Sequence, residues 1–342
     1  MNNKALLFLF LAPLVGILLA AGRITYSVAI WRYEGPQTTF EIRAGEGFSS
    51  INGRLGNAGL ISSTKAFYRY CQLKELMTKF RTGKFEIPSG MNLIETVDHL
   101  MTAAPSADQV TIPEGKNLYE IAKILEENKI TNANDFIAAA KNPNLAAKLA
   151  IKADTLEGYL YPDSYRFSQN TPATIIVETM VGNFKKQTQS LSLTMANLDP
   201  HQLITLASIV EKETGAKQER PAIAGVFHNR LKKKMRLQSD PTTIYGIWEN
   251  YKGNIRKSDL LEFTPYNTYK IPALPVGPIC NPGIEAIRAT LVPEQHRFLY
   301  FVSKNDGTHI FSETYQEHNN AVEYWQKNRN NREGRSWRNL KQ

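Results

Sequence analysis

Only two cysteines, Cys71 and Cys280, occur in 342 residues, and they lie far apart. Such a pair fits neither metal-ligand spacing nor a disulfide framework and reads as two small buried hydrophobes. There is no P-loop and no G-x-G-x-x-G turn, and the six histidines are scattered without an H-x-x-x-H pair. A nucleotide or metal enzyme is disfavoured on those grounds. Finger spacings, an arginine-rich arm and clustered basic-aromatic stripes are also missing, so the net charge of +9 carries no nucleic-acid signature. A basic surplus of that size suits an anionic setting, such as membrane headgroups or acidic wall polymer, without choosing among them.

What is present is an ordinary globular composition, 42% hydrophobic and 21% charged, long enough for two or three modest domains. ALLFLFLAPLVGILLAA (Ala5 to Ala21) is uncharged and strongly apolar, with Lys4 before it and Arg23 after it. Its 17 residues are at the short end for a membrane span, and Pro13 is tolerated better in a bilayer helix than in a soluble one. A cleaved signal peptide is the alternative, because Ala20-Ala21-Gly22 resembles a small-residue cleavage site. Trp31, Arg32 and Tyr33 read as interfacial anchors and favour an uncleaved span. Both readings send the rest of the chain across the membrane.

Beyond this segment one frame recurs three times, in FEIRAGEGFSSI (from Phe40), FEIPSGMNLIET (from Phe85) and VTIPEGKNLYEI (from Val110). The matched positions are Ile42, Gly45 and Phe48; Ile87, Gly90 and Leu93; and Ile112, Gly115 and Leu118. Each reads as a strand, a glycine turn needing positive φ, and an amphipathic helix. The third helix is expected over Asn117 to Asn128, with Leu118, Ile121, Ala122 and Leu125 on one face. Copies one and three, followed by AGLISS and ENKITN, resemble the LysM-type module that binds N-acetylglucosamine polymers. Ordinary strand-to-helix turns, or a stalk with no sugar binding, remain open. Asn132 to Ala150 is alanine-rich and helix-forming, while LEGYLYPDSYRF (Leu156 to Phe167) is an aromatic-acidic stretch carrying Glu157 and Asp163. That stretch reads equally as a carbohydrate-lining loop or a packed hairpin.

The informative helix opens at Asp199-Pro200, a good N-cap followed by a proline suited to the first turn, and is expected to stop at a left-handed Gly215. On a helical wheel Leu203, Leu206, Ala207, Val210 and Thr214 share one face. Glu213 falls between Leu206 and Ile209, and Glu211 lies about 160° away on the other flank. Two acids so far apart cannot flank one bond. Glu213 has the bulkier apolar neighbours, and desolvation there would raise its pKa as a general acid requires. A second amphipathic helix is expected from Arg220 to Lys233, followed by three loops rich in Asn, Asp, Gln and Tyr: LQSDPTTIYG, TPYNTY and LPVGPICNPG. Their side chains can take sugar hydroxyls, and together they outline a groove.

In order, ASIVEKET, HNRL, MRLQSDPTTIYG, YNTY, LPVGPICNPG and LYFVSKNDGTHIF resemble the membrane-anchored endolytic murein transglycosylases, the YceG-like or MltG family. The resemblance implies an α+β fold, with an anchor and linker over residues 1–35 and a LysM-like region over 36–108. A catalytic region would cover 109–330, including a further LysM-like piece at 110–130, before a basic tail at 331–342. It implies Glu213 as the one catalytic acid and base, cutting between N-acetylmuramic acid and N-acetylglucosamine to leave 1,6-anhydro ends. Gln238, Asp240, Asn267, Tyr269 and Asn281 match the family's motifs and are expected to bind substrate. Glu211 is expected to be structural, an ion-pair partner for an arginine such as Arg230, and His309 to support a strand or turn.

No cofactor or metal is implied. The expected partners are peptidoglycan strands, the membrane and the cell-wall synthases (penicillin-binding proteins), with no nucleic acid. The expected location is the cytoplasmic membrane, single-pass, with the catalytic region outside it. A non-catalytic wall-binding scaffold and a hydrolytic muramidase are the alternatives.

Overall fold

The strands expected at Phe40 and Phe85 are each other's partners. In a computed structural model that describes residues 3–43, 45–103 and 108–328, β1 (Thr38–Ile42) pairs antiparallel with β2 (Gly83–Ile87), Phe40 directly opposite Phe85. Alternation in TTFEI and GKFEI turns Phe40, Ile42, Phe85 and Ile87 inward. The helices α1 (Asn3–Thr25), α2 (Phe48–Asn57), α3 (Thr64–Leu73) and α4 (Leu93–Thr102) complete this part of the chain. Ile51 and Leu55 of α2, Phe67 of α3 and Leu93, Val97 and Leu100 of α4 fill its core. It constitutes one of two compact units, Met1–Asp108 with Arg166–Asn170; the other is Gln109–Tyr165 with Thr171–Gln342.

The described side chains of α1 begin at Leu14, and Leu14, Ile17, Leu18, Leu19 and Ile24 are all exposed. Among the described residues no helix is long and apolar enough to cross a membrane. The expected basic tail at 331–342 lies outside the described residues.

The glycine turns adopt the backbone that the repeated frame requires: φ is +72° at Gly45, +87° at Gly90 and +75° at Gly115. In the second unit β3 (Asp108–Thr111) leads through Gly115 into α5 (Leu118–Glu127). Asn117 and Glu120 form a capping box there, and Leu118, Ile121, Ala122 and Leu125 are the buried face. The alanine-rich stretch breaks into α6 (Ala133–Ala140) and α7 (Pro143–Lys148). The break falls where the Asn142 side chain caps the new helix and Pro143 occupies its first turn. After β4 (Ser164–Phe167) come α8 (Ala173–Thr188) and α9 (Pro200–Glu213).

Asp199 caps α9, as expected, and the structure adds a box with Gln202. Two features depart from the expectation. The helix is enclosed on all sides, with every residue from Leu203 to Val210 buried, rather than presenting a single apolar face. Its polar members are satisfied locally: Thr205 donates to the His201 carbonyl at 2.8 Å, and Ser208 donates to Thr205 and accepts from the Ile279 amide at 3.0 Å. The helix also stops because Thr214 turns extended (φ −143°, ψ 137°), and Gly215 is not left-handed.

Packed on α9 are α10 (Arg220–Lys232), α11 (Asp240–Gly246) and α13 (Ile284–Leu291), with α12 (Lys257–Leu261) beside α11. The stretch LQSDPTTIYG, expected as a loop, is therefore largely helical from Asp240 onward, started by Pro241 in its first turn. A hairpin of β5 (Tyr300–Ser303) and β6 (His309–Ser312) and the helix α14 (Tyr315–Val322) close the unit. His309, on β6, pairs with Glu219 at 2.7 Å.

Gly158 combines a left-handed backbone with a close approach of its neighbours. Its φ is +88°, and a Cβ there would collide with the Pro278 ring and Ile204. Gly158→Ala should lower stability by about 3 kcal/mol, from backbone strain and overpacking together. Denaturant titration checks this: a loss under about 1 kcal/mol would show that the Pro278 loop yields freely.

Candidate active site

Glu213 is the last residue of α9 and half-buried. The Ser239 hydroxyl, from the turn that precedes α11, donates to its Oε1. The remaining access is through a cleft of about 330 Å³, walled in part by Arg230, Gln238, Asp240, Tyr269 and His318. Burial pushes the Glu213 carboxyl up to about 7; the Ser239 hydrogen bond opposes this, the Asp240 charge adds to it, and Arg230 opposes it. A carboxyl poised there gives and takes a proton at neutral pH with comparable ease.

The surrounding groups are held by backbone more than by each other. Arg230, buried on α10, donates from Nε to the Leu299 carbonyl at 2.6 Å and from Nη1 to the Leu237 carbonyl at 2.7 Å. Its guanidinium lies 5.3 Å from the Tyr300 ring centre. Gln238 sits in left-handed backbone, φ +49°, an uncommon conformation for a non-glycine residue. That turn is pinned by the Gln238 and Ser239 amides donating to the Thr268 carbonyl at 3.2 Å and hydroxyl at 2.9 Å. The Tyr269 hydroxyl donates to Asp240 Oδ1 at 2.7 Å. Ser239→Ala removes the hydroxyl that donates to the Glu213 carboxylate, so the pKa of the acid should climb further. The pH–rate profile would move up with it; an unmoved profile would exclude Ser239 as a regulator of that proton.

The model of the YceG-like family matches residues 40–324. The chain belongs to this family. A Bacillus subtilis (strain 168) protein named endolytic murein transglycosylase is 33% identical over 307 residues, covering 84% of this chain and 85% of its own. A Streptococcus pneumoniae (serotype 2) protein of the same name is 28% identical over 317 residues, which is 83% of this chain and 57% of that protein. A solved YceG-like protein from Listeria monocytogenes is 32% identical with a TM-score of 0.58, covering 83% of this chain and 99% of its own.

In this YceG-like chain, Gln238, Asp240 and Tyr269 are brought to the cleft of Glu213, and two other expected substrate ligands are not. Asn267 is fully buried. Its amide donates to the carbonyls of Asp259, Leu260 and Glu262, and its oxygen accepts from the Tyr269 amide and the Thr243 hydroxyl. Asn281 is buried as well, accepting from the Leu160 amide at 2.8 Å and donating to Lys116 O at 3.0 Å and Glu157 Oε1 at 2.7 Å. Neither side chain has a face left for a sugar, so the expectation of direct binding is corrected: both shape loops.

Glu157 is similarly enclosed. Burial pushes its carboxyl up to about 7 while the Leu118 amide, the Tyr245 hydroxyl and Asn281 all donate to it. It ties the start of α5 to α11 and does not line the Glu213 cleft. Glu211 is structural as expected, but its partner is Arg220, at 2.6 Å, and not Arg230. The loop LPVGPICNPG contributes Leu274, Pro275 and Val276 to a separate cleft of about 670 Å³ that includes His201 and Gln202. Sequence reasoning missed Ser239, Tyr300, Tyr315 and His318 as neighbours of the cleft. Only Ser239 carried a signal, being flanked by two residues already singled out.

Proposed function

We propose that this chain is an endolytic peptidoglycan lytic transglycosylase that cuts the bond between N-acetylmuramic acid and N-acetylglucosamine. The observation that carries the reading is Glu213: a single acid at the end of a buried helix, open to one cleft, its proton affinity set near neutrality by burial. Relatives named endolytic murein transglycosylase support it across most of the chain. Protonated Glu213 gives its proton to the glycosidic oxygen as the bond breaks. The resulting carboxylate, steadied by the Ser239 hydroxyl and the Arg230 charge, then takes the proton of the muramic 6-hydroxyl as that oxygen closes the 1,6-anhydro ring. No water enters the balance and no second carboxylate is required. Gln238, Asp240 and Tyr269 bind the strand beside the scissile bond, and Asp240 favours the positive charge that develops on the sugar ring.

Hydrolysis is the second reading, because Asp240 puts another carboxylate on the cleft wall and a hydrolase uses two. Mass spectrometry of products from uncrosslinked strands separates the readings, since the anhydro product is lighter by one water. Reducing ends from the wild-type protein would overturn the transglycosylase assignment. Undiminished anhydro product from Glu213→Gln would overturn the catalytic role of Glu213.

The N-terminal segment is proposed as the anchor, a reading supported by the run Ala5 to Ala21 and by the exposed apolar side chains of α1. The catalytic unit would then work outside the cytoplasmic membrane beside the wall synthases, ending the growth of glycan strands. The strand–glycine-turn–helix units that resemble LysM would hold the strand.

A further inference from the structure

One polar atom in the wall of the Glu213 cleft is not accounted for by the mechanism above. His318 lines the cleft from α14, and its Nδ1 is buried without a hydrogen-bond partner. The ring is not loose. It stacks on Tyr300 with centroids 5.2 Å apart and planes 25° from parallel, and Tyr315 borders it at 6.5 Å. Tyr300 in turn carries the Arg230 guanidinium, so the imidazole belongs to a fixed layer of rings on the cleft wall. The backbone beneath is equally fixed: Thr314 and Glu317 form a capping box at the start of α14, and the His318 amide donates to the Thr314 carbonyl at 3.1 Å.

This environment decides the tautomer. A buried N–H with no acceptor costs more than a buried lone pair with no donor. The proton therefore sits on Nε2, which leaves Nδ1 as the bare lone pair. Burial and the nearby Arg230 charge also hold the ring below its ordinary pKa, so it stays neutral in the working range. The charged and titratable groups around it are Arg230, Tyr300, Tyr315, Glu213, Asp240 and Tyr269. What the cleft receives is one rigid neutral donor, with the flank of a tyrosine beside it. Among the described hydrogen bonds none uses the His318 ring.

We infer that His318 is a substrate-binding residue whose Nε2–H donates to the acetamido carbonyl of a sugar next to the scissile bond, with Tyr300 and Tyr315 against that sugar's apolar edge. The acetamido carbonyl is the strongest neutral acceptor on such a strand, and a neutral donor is the matching partner. The inference rests on the transglycosylase reading and adds to it a residue that selects N-acetylated sugars.

The test measures binding of peptide-free glycan strands, so that turnover does not obscure it, with every variant made in the inactive Glu213→Gln background. His318→Ala should weaken binding about tenfold, the scale of one hydrogen bond. His318→Gln, whose amide nitrogen reaches the position of Nε2, should restore most of it. His318→Asn, whose amide mimics Nδ1, should not. On strands stripped of their acetyl groups the three should bind alike. Equal binding by His318→Ala and the parent, or equal losses in Gln and Asn, would overturn the inference. If the Glu213→Gln parent itself fails to bind glycan strands, the function proposed for the cleft fails first, and the two failures are thereby told apart.

Discussion

Glu213→Gln should abolish release of 1,6-anhydro products, with a fall in kcat of at least about a thousandfold, while strand binding stays near wild type. The glutamine oxygen still accepts from Ser239, so the cleft keeps its shape, and the missing proton is the whole of the defect. The same variant should be more stable than the wild type in mild alkali. Glu213 holds its proton more tightly folded, near 7, than at its ordinary value of 4.5. Below pH 4.5 the acid is neutral in both states and contributes no penalty. From pH 4.5 to 7 the unfolded chain loses the proton first, and the folded state is progressively disfavoured. Above 7 the penalty is constant, on the order of 3 kcal/mol at most because the cleft admits solvent. Urea midpoints at pH 4 and pH 8 measure it. The stabilisation should be present at pH 8 and absent at pH 4; its presence at both would mean that the effect is packing and not ionisation.

Arg220→Ala should produce the largest loss of stability, about 3 to 5 kcal/mol, without touching the cleft. Arg220 and Glu211 are both almost fully buried, and Glu211 also accepts from the Gly283 amide at 3.0 Å. Even with Arg220 in place, desolvation outweighs its attraction and the Glu211 pKa is raised. Without Arg220 the carboxylate stands alone against its burial. The loss should therefore grow as pH rises and Glu211 is driven to ionise, and shrink as pH falls and it can stay protonated. Two Arg220 donors, Nε and Nη1, already lack partners, so the intact pair adds little net stability even though breaking it is costly. A loss below about 1 kcal/mol, or one independent of pH, would show that water reaches Glu211.

Local signals were legible along the chain. Asp199 with Pro200 announces its helix because cap and first-turn proline are adjacent in the chain. The turn glycines are equally local, and Glu213 could be singled out because the wheel that sets its neighbours involves one helix only. What could not be read depends on chain segments meeting. Ser239 reaches Glu213 across 26 positions, and no periodicity relates them. His318 enters the site by the return of α14 onto the β5–β6 hairpin. Asn267 and Asn281 show the opposite failure. An amide in a loop suits a sugar hydroxyl and a backbone carbonyl equally, and only burial tells which one it meets. The LQSDPTTIYG stretch misled through composition, since Ser, Asp and Pro mark a helix start as readily as a loop.

Arg230 grips two main-chain oxygens, one leading into the Gln238 turn and one leading into β5, so two segments that line the cleft hang from a single planar fork. The spacing of those two segments is thus fixed by the dimensions of one side chain, and a displacement of either is relayed to the other. A lysine in its place would keep the charge yet offer no rigid spacer, and the two segments would be free to drift apart.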